Sequence, residues 1–99
     1  MEIRVLQRQI EATFGTRDRS RGADGTFRRL VEEVGEVAKA LRAADRSALT
    51  LELADVVAWT LSVAALHGID LDGALERFSR GCPRCGASPC RCPADPGVL

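Results

Sequence analysis

Apolar residues recur at steps of three and four along most of this sequence, which is the spacing of amphipathic helices. The first stripe predicts a helix over residues 2–14, with Gly15 as a reasonable stop. The following stretch, residues 16–25, is mostly polar and contains glycines, so it predicts a loop. The members of the first stripe are Ile3, Leu6, Ile10 and Phe14.

The middle of the chain predicts two longer helices joined by a short connection. The first runs from Phe27 to about residues 42–44, and the second from Ser47 to Gly68. Over residues 51–66 the second of these helices is almost wholly apolar, which predicts burial on nearly all sides. The apolar stripe that follows Phe27 consists of Leu30, Val31, Val34, Val37, Ala38 and Leu41.

These elements predict an all-α fold, since no stretch shows the alternation of a strand. A short fourth helix, from Leu71 to Ser79 with Asp70 as its cap, gives a four-helix protomer. A domain within a chain of 99 residues buries only a modest share of its surface, so we expect its bundle to be completed by oligomerisation. The predicted parts are a helical domain at residues 1–80, a cysteine-rich tail at 81–93 and a loose C-terminus at 94–99.

Composition and charge narrow the class of protein further. Hydrophobic residues make up 45% and charged residues 28% of the chain, which excludes a disordered protein. The 14 basic residues balance 14 acidic ones, so no overall field attracts nucleic acid or an anionic membrane. Residues 1–5 lack an apolar signal core, and acids interrupt the most apolar helix. We therefore predict a cytoplasmic protein with no membrane span and no stable nucleic-acid binding.

Four acids on the two middle helices are spaced to share one site. Glu33 and Glu36 are three residues apart, as are Glu52 and Asp55, so each pair projects from one face of its helix. An antiparallel hairpin would bring the two pairs to the same depth. Helical geometry puts Glu33 about 90° from the centre of its apolar stripe, on the border of the core.

A hard divalent cation explains these acids better than solvation does. Acids in the first turns of an exposed helix are common, so Glu32, Glu33 and Glu36 alone prove little. Glu52 and Asp55 lie in an otherwise apolar run that has no lysine or arginine to pair with them, and unpaired buried charges are costly. Ligands that are all oxygen favour Mg²⁺ or Mn²⁺, and the absence of a nearby histidine or cysteine argues against zinc at this site.

A known family has this arrangement of acids. Residues 32–36 read EEVGE and, after fifteen residues, residues 52–55 read ELAD. This pattern resembles the EExxE and ExxD signature of the MazG-like all-α nucleoside triphosphate pyrophosphohydrolases, over roughly residues 1–80. The resemblance implies a magnesium enzyme that splits a nucleoside triphosphate between its α and β phosphorus atoms, giving the monophosphate and pyrophosphate. It also implies a housecleaning role in the nucleotide pool and a homodimer or homotetramer.

The resemblance assigns roles to the acids. It makes Glu33, Glu36, Glu52 and Asp55 the magnesium ligands. Glu32 would bind a second ion or orient the attacking water, and a carboxylate just outside the metal's ligand shell would accept the proton of that water. Glu32 and Glu33 are therefore the candidate catalytic residues.

One part of the family pattern is missing. Members often carry a lysine and an asparagine in the fourth helix that contact phosphates, whereas residues 74–80 here read ALERFSR. Arg77 or Arg80 would have to replace them, the alternative being a solvated helix face. Trp59 follows Asp55 by one turn and is a candidate to stack on a nucleobase, although burial in the core or a dimer interface explains it more simply. The arginines of the predicted loop could likewise reach phosphates, but we expect them to be solvated: Arg17, Arg19 and Arg21.

The tail carries four cysteines in eleven residues, as a C-x-x-C pair followed by a C-x-C pair. The first pair is a familiar zinc turn, and four thiolates match a closed structural site that would order a tail too short to fold by burial. Free thiols, redox disulfides, another thiophilic metal and an iron–sulfur cluster remain alternatives. The predicted zinc ligands are Cys82, Cys85, Cys90 and Cys92.

Two further interpretations of function stay open. Relatives in the same superfamily, the dUTPases and the phosphoribosyl-ATP pyrophosphohydrolases, share this pattern of acids. The missing lysine and asparagine also fit a metal-binding interaction module that does not turn over a substrate.

Overall fold

The computed structural model describes residues 2–94, and over these residues the chain is all-α, as predicted. A 3₁₀ turn at Glu76–Phe78 follows the last helix, and the described residues contain no strand. The loose C-terminus predicted for residues 94–99 lies outside the described residues, apart from Ala94. The helices are α1 (Ile3–Arg42), α2 (Arg46–Leu66) and α3 (Leu71–Leu75).

The loop predicted for residues 16–25 is wrong, because α1 runs through this stretch and bends at one residue. Gly22 has φ 85° and ψ 167°, a conformation that glycine alone adopts without strain. The first two predicted helices are thus the two halves of α1, and the described chain has three helices instead of four. Polar residues fit here because they pair within the helix: Arg21 contacts the buried Asp18 at 2.8 Å.

The second half of α1 and α2 form an antiparallel hairpin. Asp45 caps α2, where its side chain accepts a hydrogen bond from the Ala48 N–H at 3.0 Å. The inward face of α2 includes Leu49, Glu52 and Val56, all half-buried. The inward face of α1 consists of Leu30, Glu33, Val37 and Ala40, at three- and four-residue steps. Each helix therefore turns an acid toward the other.

The start of α1 is tied to the segment that follows α2. The Gln7 side chain donates to the Ile69 carbonyl at 2.7 Å and accepts from the Leu71 N–H at 3.1 Å. Arg4 forms an ion pair with Asp70 at 2.8 Å. Asp70 is the N-cap residue of α3, as predicted, although its side chain pairs with Arg4 and makes no capping hydrogen bond.

Most of the apolar stripe of residues 27–41 faces outward, and only Leu30 and Val37 of it turn toward α2. The rest of the stripe stays exposed because α1 has only α2 to pack against here, and one partner covers one face. Glu33 lies on the inward face of α1 and is half-buried, which agrees with its predicted place on the border of the core. The stripe residues that are at least half exposed are Phe27, Val31, Val34 and Leu41. The buried apolar residues are Ile10, Ala40, Leu61 and Ala64.

The prediction that α2 is buried on nearly all sides is also wrong for the single chain. Leu51 is 66% exposed, and Leu53 and Val57 are exposed as well. On length and composition alone α2 could cross a membrane, with a mean hydropathy of 1.6 and 17% of its apolar window buried. The core helix of a soluble protein passes the same test, and Glu52 and Asp55 would be costly in hydrocarbon.

The chain is extended for its length. Its radius of gyration is 15.9 Å, compared with about 13 Å for a compact domain of this size. Its accessible surface is 7605 Å², whereas a compact protein of its mass exposes about 5,500 Å². The difference exceeds the roughly 800 Å² that each partner buries in a standard interface. A single protomer therefore leaves uncovered as much surface as an interface needs.

Candidate active site

Three of the predicted acids converge between α1 and α2. Glu33 comes from the inward face of α1, and Glu52 and Asp55 come from successive turns of α2. One carboxylate oxygen from each lies within 4.8 Å of the other two. The antiparallel hairpin thus brings together residues that are about twenty positions apart in the chain.

Glu33 lies in the least favourable surroundings of the three for a negative charge. Its Oε2 is buried and has no hydrogen-bond partner among the described residues. Three effects raise the pKa of Glu33 from its ordinary value of 4.5 to about 7. They are a hydrogen bond to Glu52 that forms when Glu33 is protonated, burial, and the neighbouring negative charges. The charge of Glu36 contributes to this rise. Among the described residues, no positive group lies where it lowers this pKa.

These residues fit a hard divalent cation. The donor set is entirely oxygen, as Mg²⁺ and Mn²⁺ prefer, and the orphaned Oε2 of Glu33 is an unused ligand atom. A cation placed among the three carboxylates would reverse the repulsion that raises the pKa of Glu33.

The other two predicted acids stand apart from this cluster. Glu36 is exposed and does not share the close approach of the three, although its charge reaches Glu33. Glu32 is exposed and forms an ion pair with Arg29 at 3.3 Å. Its side chain points away from the inward face, because consecutive helical residues are rotated by about 100°.

A cleft of about 660 Å³ adjoins the acids, a volume within the range of small-ligand sites. Glu33 and Asp55 contribute to its wall, and so do Trp59 and the exposed Phe14. Trp59 is half-buried, so it combines packing with access to the cleft. The cleft lies against both halves of α1 and the middle of α2.

Three arginines also line this cleft, namely Arg17, Arg21 and Arg29. Arg17 and Arg21 are four residues apart and share one face of α1, a spacing that the sequence shows but that the predicted loop concealed. Arg19, expected to be solvated with them, is exposed and is not among the lining residues. Asp18 was missed altogether; its i, i+3 relation to Arg21 was the available signal.

Arg77 and Arg80, the predicted phosphate ligands, are not among the residues that line the cleft. Both are exposed, and the Arg77 guanidinium lies 5.2 Å from the centroid of the Phe78 ring. These two arginines belong to the turn after α3, near the cysteine-rich tail. The structure therefore does not bring them to the acids.

The four cysteines of the tail converge as tightly as zinc ligands do. All four Sγ atoms lie within 4.8 Å of one another, with Cys82 to Cys92 at 3.7 Å and Cys85 to Cys90 at 4.0 Å. A tetrahedral site with Zn–S bonds of 2.3 Å has sulfur atoms about 3.8 Å apart. The distances are far longer than a disulfide bond, and all four thiols are free.

Backbone N–H groups in the tail point at the sulfur atoms. The N–H groups of Cys85 and Arg84 lower the pKa of Cys82 to about 6, which favours the thiolate that binds a metal. Contact with Cys90 and the other thiols raises the pKa of Cys92 to about 12. The turn closes at Gly86, which has φ 74° and donates its N–H to the Cys82 carbonyl at 2.7 Å. The tail is thus arranged to share protons or a cation among four sulfurs.

Comparison with known proteins agrees with this geometry. Residues 21–84 match the MazG nucleotide pyrophosphohydrolase domain, and this segment contains all five predicted acids. The chain belongs to the MazG nucleotide pyrophosphohydrolase family. The predicted family resemblance is therefore confirmed, and with it the enzyme class of nucleotide pyrophosphohydrolase.

One similar protein has a named activity. A dATP/dGTP diphosphohydrolase of Cyanophage S-2L is 39% identical over 74 residues, which cover 75% of this chain and 67% of the phage protein. The MazG match ends at Arg84, so three of the four cysteines lie beyond it. The match begins at Arg21, so the first half of α1 and its cleft residues lie almost wholly outside it.

Proposed function

We propose that this MazG-family chain hydrolyses a nucleoside triphosphate between the α and β phosphorus atoms, with Mg²⁺ as its cation. The observation that carries this proposal is the convergence of Glu33, Glu52 and Asp55 beside a cleft of nucleotide size. These three would hold the cation, and Glu36, three residues from Glu33 on the same helix, would complete the set. A bound Mg²⁺ supplies charge neutralisation for the triphosphate and activates water for attack on phosphorus.

The residues of the chain divide the remaining tasks. The water oxygen forms a bond to the α phosphorus, the bond from that phosphorus to the bridging oxygen breaks, and pyrophosphate leaves. Glu33 is the first candidate to accept the proton of the water, through whichever carboxylate oxygen the cation leaves free. Glu32 is the second candidate, although its pairing with Arg29 turns it away in this structure. Trp59 offers an aromatic face for the nucleobase.

Purine deoxynucleoside triphosphates are the first substrates to test, since the phage relative is named for dATP and dGTP. The assay measures release of pyrophosphate from a panel of canonical and damaged nucleoside triphosphates, dUTP and phosphoribosyl-ATP included. We expect release that requires Mg²⁺ or Mn²⁺ and falls at least a hundredfold in Asp55→Asn and Glu36→Gln. Asp24→Asn, an exposed acid outside the site, is the matched control. No release by the wild type, or equal release by Asp55→Asn, would refute the proposal.

We also propose that two or more protomers associate through the outward apolar faces. Phe27, Val31 and Val34 form a stripe on α1, and Leu53 and Val57 extend the apolar surface on α2. Association would bury the α2 surface that one chain leaves exposed, and it would supply the remaining bundle helices. A second copy would thereby stabilise the hairpin that carries the acids.

The cysteine cluster is proposed as a structural zinc site. Four sulfurs at tetrahedral separations leave no open position for catalysis, so zinc here would order residues 82–92 without taking part in hydrolysis. Reduced thiols suit the cytoplasmic location that the sequence predicts. The described hydrogen bonds of these cysteines stay within the tail, so the zinc unit would be a separate small module.

A further inference from the structure

The cleft beside the acids is also lined by arginines, and the segment that carries them lies largely outside the residues that match the MazG family. Arg17 and Arg21 belong to the first half of α1 and share one face of it, whereas the acid Glu33 belongs to the second half. A triphosphate with one bound Mg²⁺ still carries net negative charge, which carboxylates alone cannot accommodate. The cleft therefore needs fixed positive groups, and Arg77 and Arg80 lie outside it.

Arg21 is held in place from three sides. Its Nη1 donates to Asp18 Oδ1 at 2.8 Å and lies 3.3 Å from Thr26 Oγ1. Its guanidinium carbon lies 5.0 Å from the centroid of the Trp59 ring. Asp18 is 3% exposed and Thr26 is fully buried, so both supports are rigid. An arginine anchored in this way loses little freedom when a ligand binds.

The anchored guanidinium still has donors to offer. Both described hydrogen bonds use Nη1, so the three N–H groups of Nη2 and Nε are not engaged in them. The Arg21 side chain is 27% exposed and lines the cleft. A buried ion pair such as Asp18 with Arg21 adds little net stability, so its value lies in where it holds the guanidinium. Arg17, one turn earlier, adds a second charge that Asp18 does not neutralise.

We propose that Arg21, fixed by Asp18 and assisted by Arg17, is the phosphate clamp of this cleft. The clamp binds the phosphates that the carboxylate-bound cation leaves uncompensated. Asp18 is a positioning residue that acts through Arg21. The inference rests on the proposed function for its natural ligand, but the clamp itself is defined by charge and geometry.

Binding of inorganic tripolyphosphate in the presence of Mg²⁺ tests the clamp without hydrolysis of a nucleotide. Isothermal titration compares the wild type with Arg21→Gln, Arg17→Gln and the exposed control Arg80→Gln. We expect Arg21→Gln to weaken binding at least tenfold, Arg17→Gln severalfold and Arg80→Gln less than twofold. In the hydrolysis assay the same order should appear in KM. Binding of an unphosphorylated nucleoside, followed by fluorescence of Trp59, should change less than twofold.

One further variant, together with Arg17→Gln, shows whether a loss of binding comes from misfolding. Arg21→Gln leaves Asp18 buried without a partner, so the double variant Asp18→Asn with Arg21→Gln removes both charges and keeps the shape. Its circular dichroism should match the wild type while its tripolyphosphate affinity stays at least tenfold weaker. Arg17→Gln alters only an exposed side chain and is expected to fold normally.

The outcomes separate this inference from the proposed function. Equal affinity of Arg21→Gln and Arg80→Gln for tripolyphosphate, or no binding by the wild type, overturns the clamp even if pyrophosphate is released normally. Binding of tripolyphosphate that depends on Arg21, in a protein that hydrolyses no nucleotide, supports the clamp and refutes the hydrolytic function.

Discussion

Replacing Glu33 with glutamine measures the repulsion among the acids when no cation is bound. Glu33 has a pKa of about 7 in the folded chain and an ordinary value of 4.5, so the folded state binds the extra proton between these values. The free energy of unfolding therefore falls as pH rises from about 4.5 to 7, and the loss is complete above that range. Glutamine removes the charge, keeps the shape and can donate an N–H to Glu52.

The size of the effect follows from the rise in pKa. A rise from 4.5 to about 7 corresponds to at most about 3 kcal/mol. Glu33 is only half-buried, so solvent screens part of the repulsion and we expect about 1–2 kcal/mol at pH 8. For a domain of this length, this free-energy difference should raise the Tm of metal-free Glu33→Gln above that of the wild type by roughly 5–10 °C. Near pH 4.5 the two proteins should melt together.

Thermal unfolding followed by circular dichroism, with a chelator or with millimolar Mg²⁺, provides the assay. Mg²⁺ should raise the Tm of the wild type at pH 8 more than that of Glu33→Gln, because the cation and the substitution relieve the same repulsion. Glu32→Gln is the control, since Glu32 is exposed and should change stability by less than about 0.5 kcal/mol. Identical melting of wild type and Glu33→Gln at pH 8 without metal would show that the acids do not repel as their positions indicate.

Other substitutions test the bend, the tail and the outward face. Gly22→Ala should destabilise the chain by about 1–3 kcal/mol through backbone strain alone, since no atom lies within 4 Å of an added Cβ. Its control Gly35→Ala, at an equally open but helical position, should stabilise the chain slightly, and equal effects of the two in chemical denaturation would contradict this account. Cys85→Ser should abolish stoichiometric zinc in elemental analysis while helix content is unchanged; a zinc-free, folded wild type would refute the zinc site. Leu53→Lys should shift the mass measured by light scattering toward the protomer, and a monomeric wild type would rule out the proposed association.

Sequence periodicity predicted the helical class because each stripe depends only on local spacing. It placed α2 within a few residues of its observed ends, and Gly68, which has φ 65°, was the local signal for the second of them. It failed at residues 16–25, because the pairing of Arg21 with Asp18 makes a polar stretch helical and a single glycine accommodates the bend. Local composition cannot report which polar residues will be buried together.

The acids illustrate a second limit. Spacing alone indicated that Glu52 and Asp55 share a face, and the hairpin brings them to Glu33. Spacing could not indicate what covers the apolar stripe: Leu30 and Val37 turn toward α2, whereas most of the stripe stays exposed, because a stripe shows only that some surface must cover it. The cleft arginines could not be assigned before the bend was known, since their position relative to the acids depends on it.

Because α1 bends at Gly22, the angle at this residue sets the position of the whole first half of the helix. The first half of the helix is about 28 Å long, so a rotation of 10° at the bend moves its start by about 5 Å. Gln7 holds that far end to the Ile69 carbonyl and the Leu71 N–H, about four turns from Arg21. A pair of hydrogen bonds remote from the cleft thus sets the spacing between its cationic and acidic halves. Loosening the Gln7 contact would misplace the arginines without altering any group that meets a ligand.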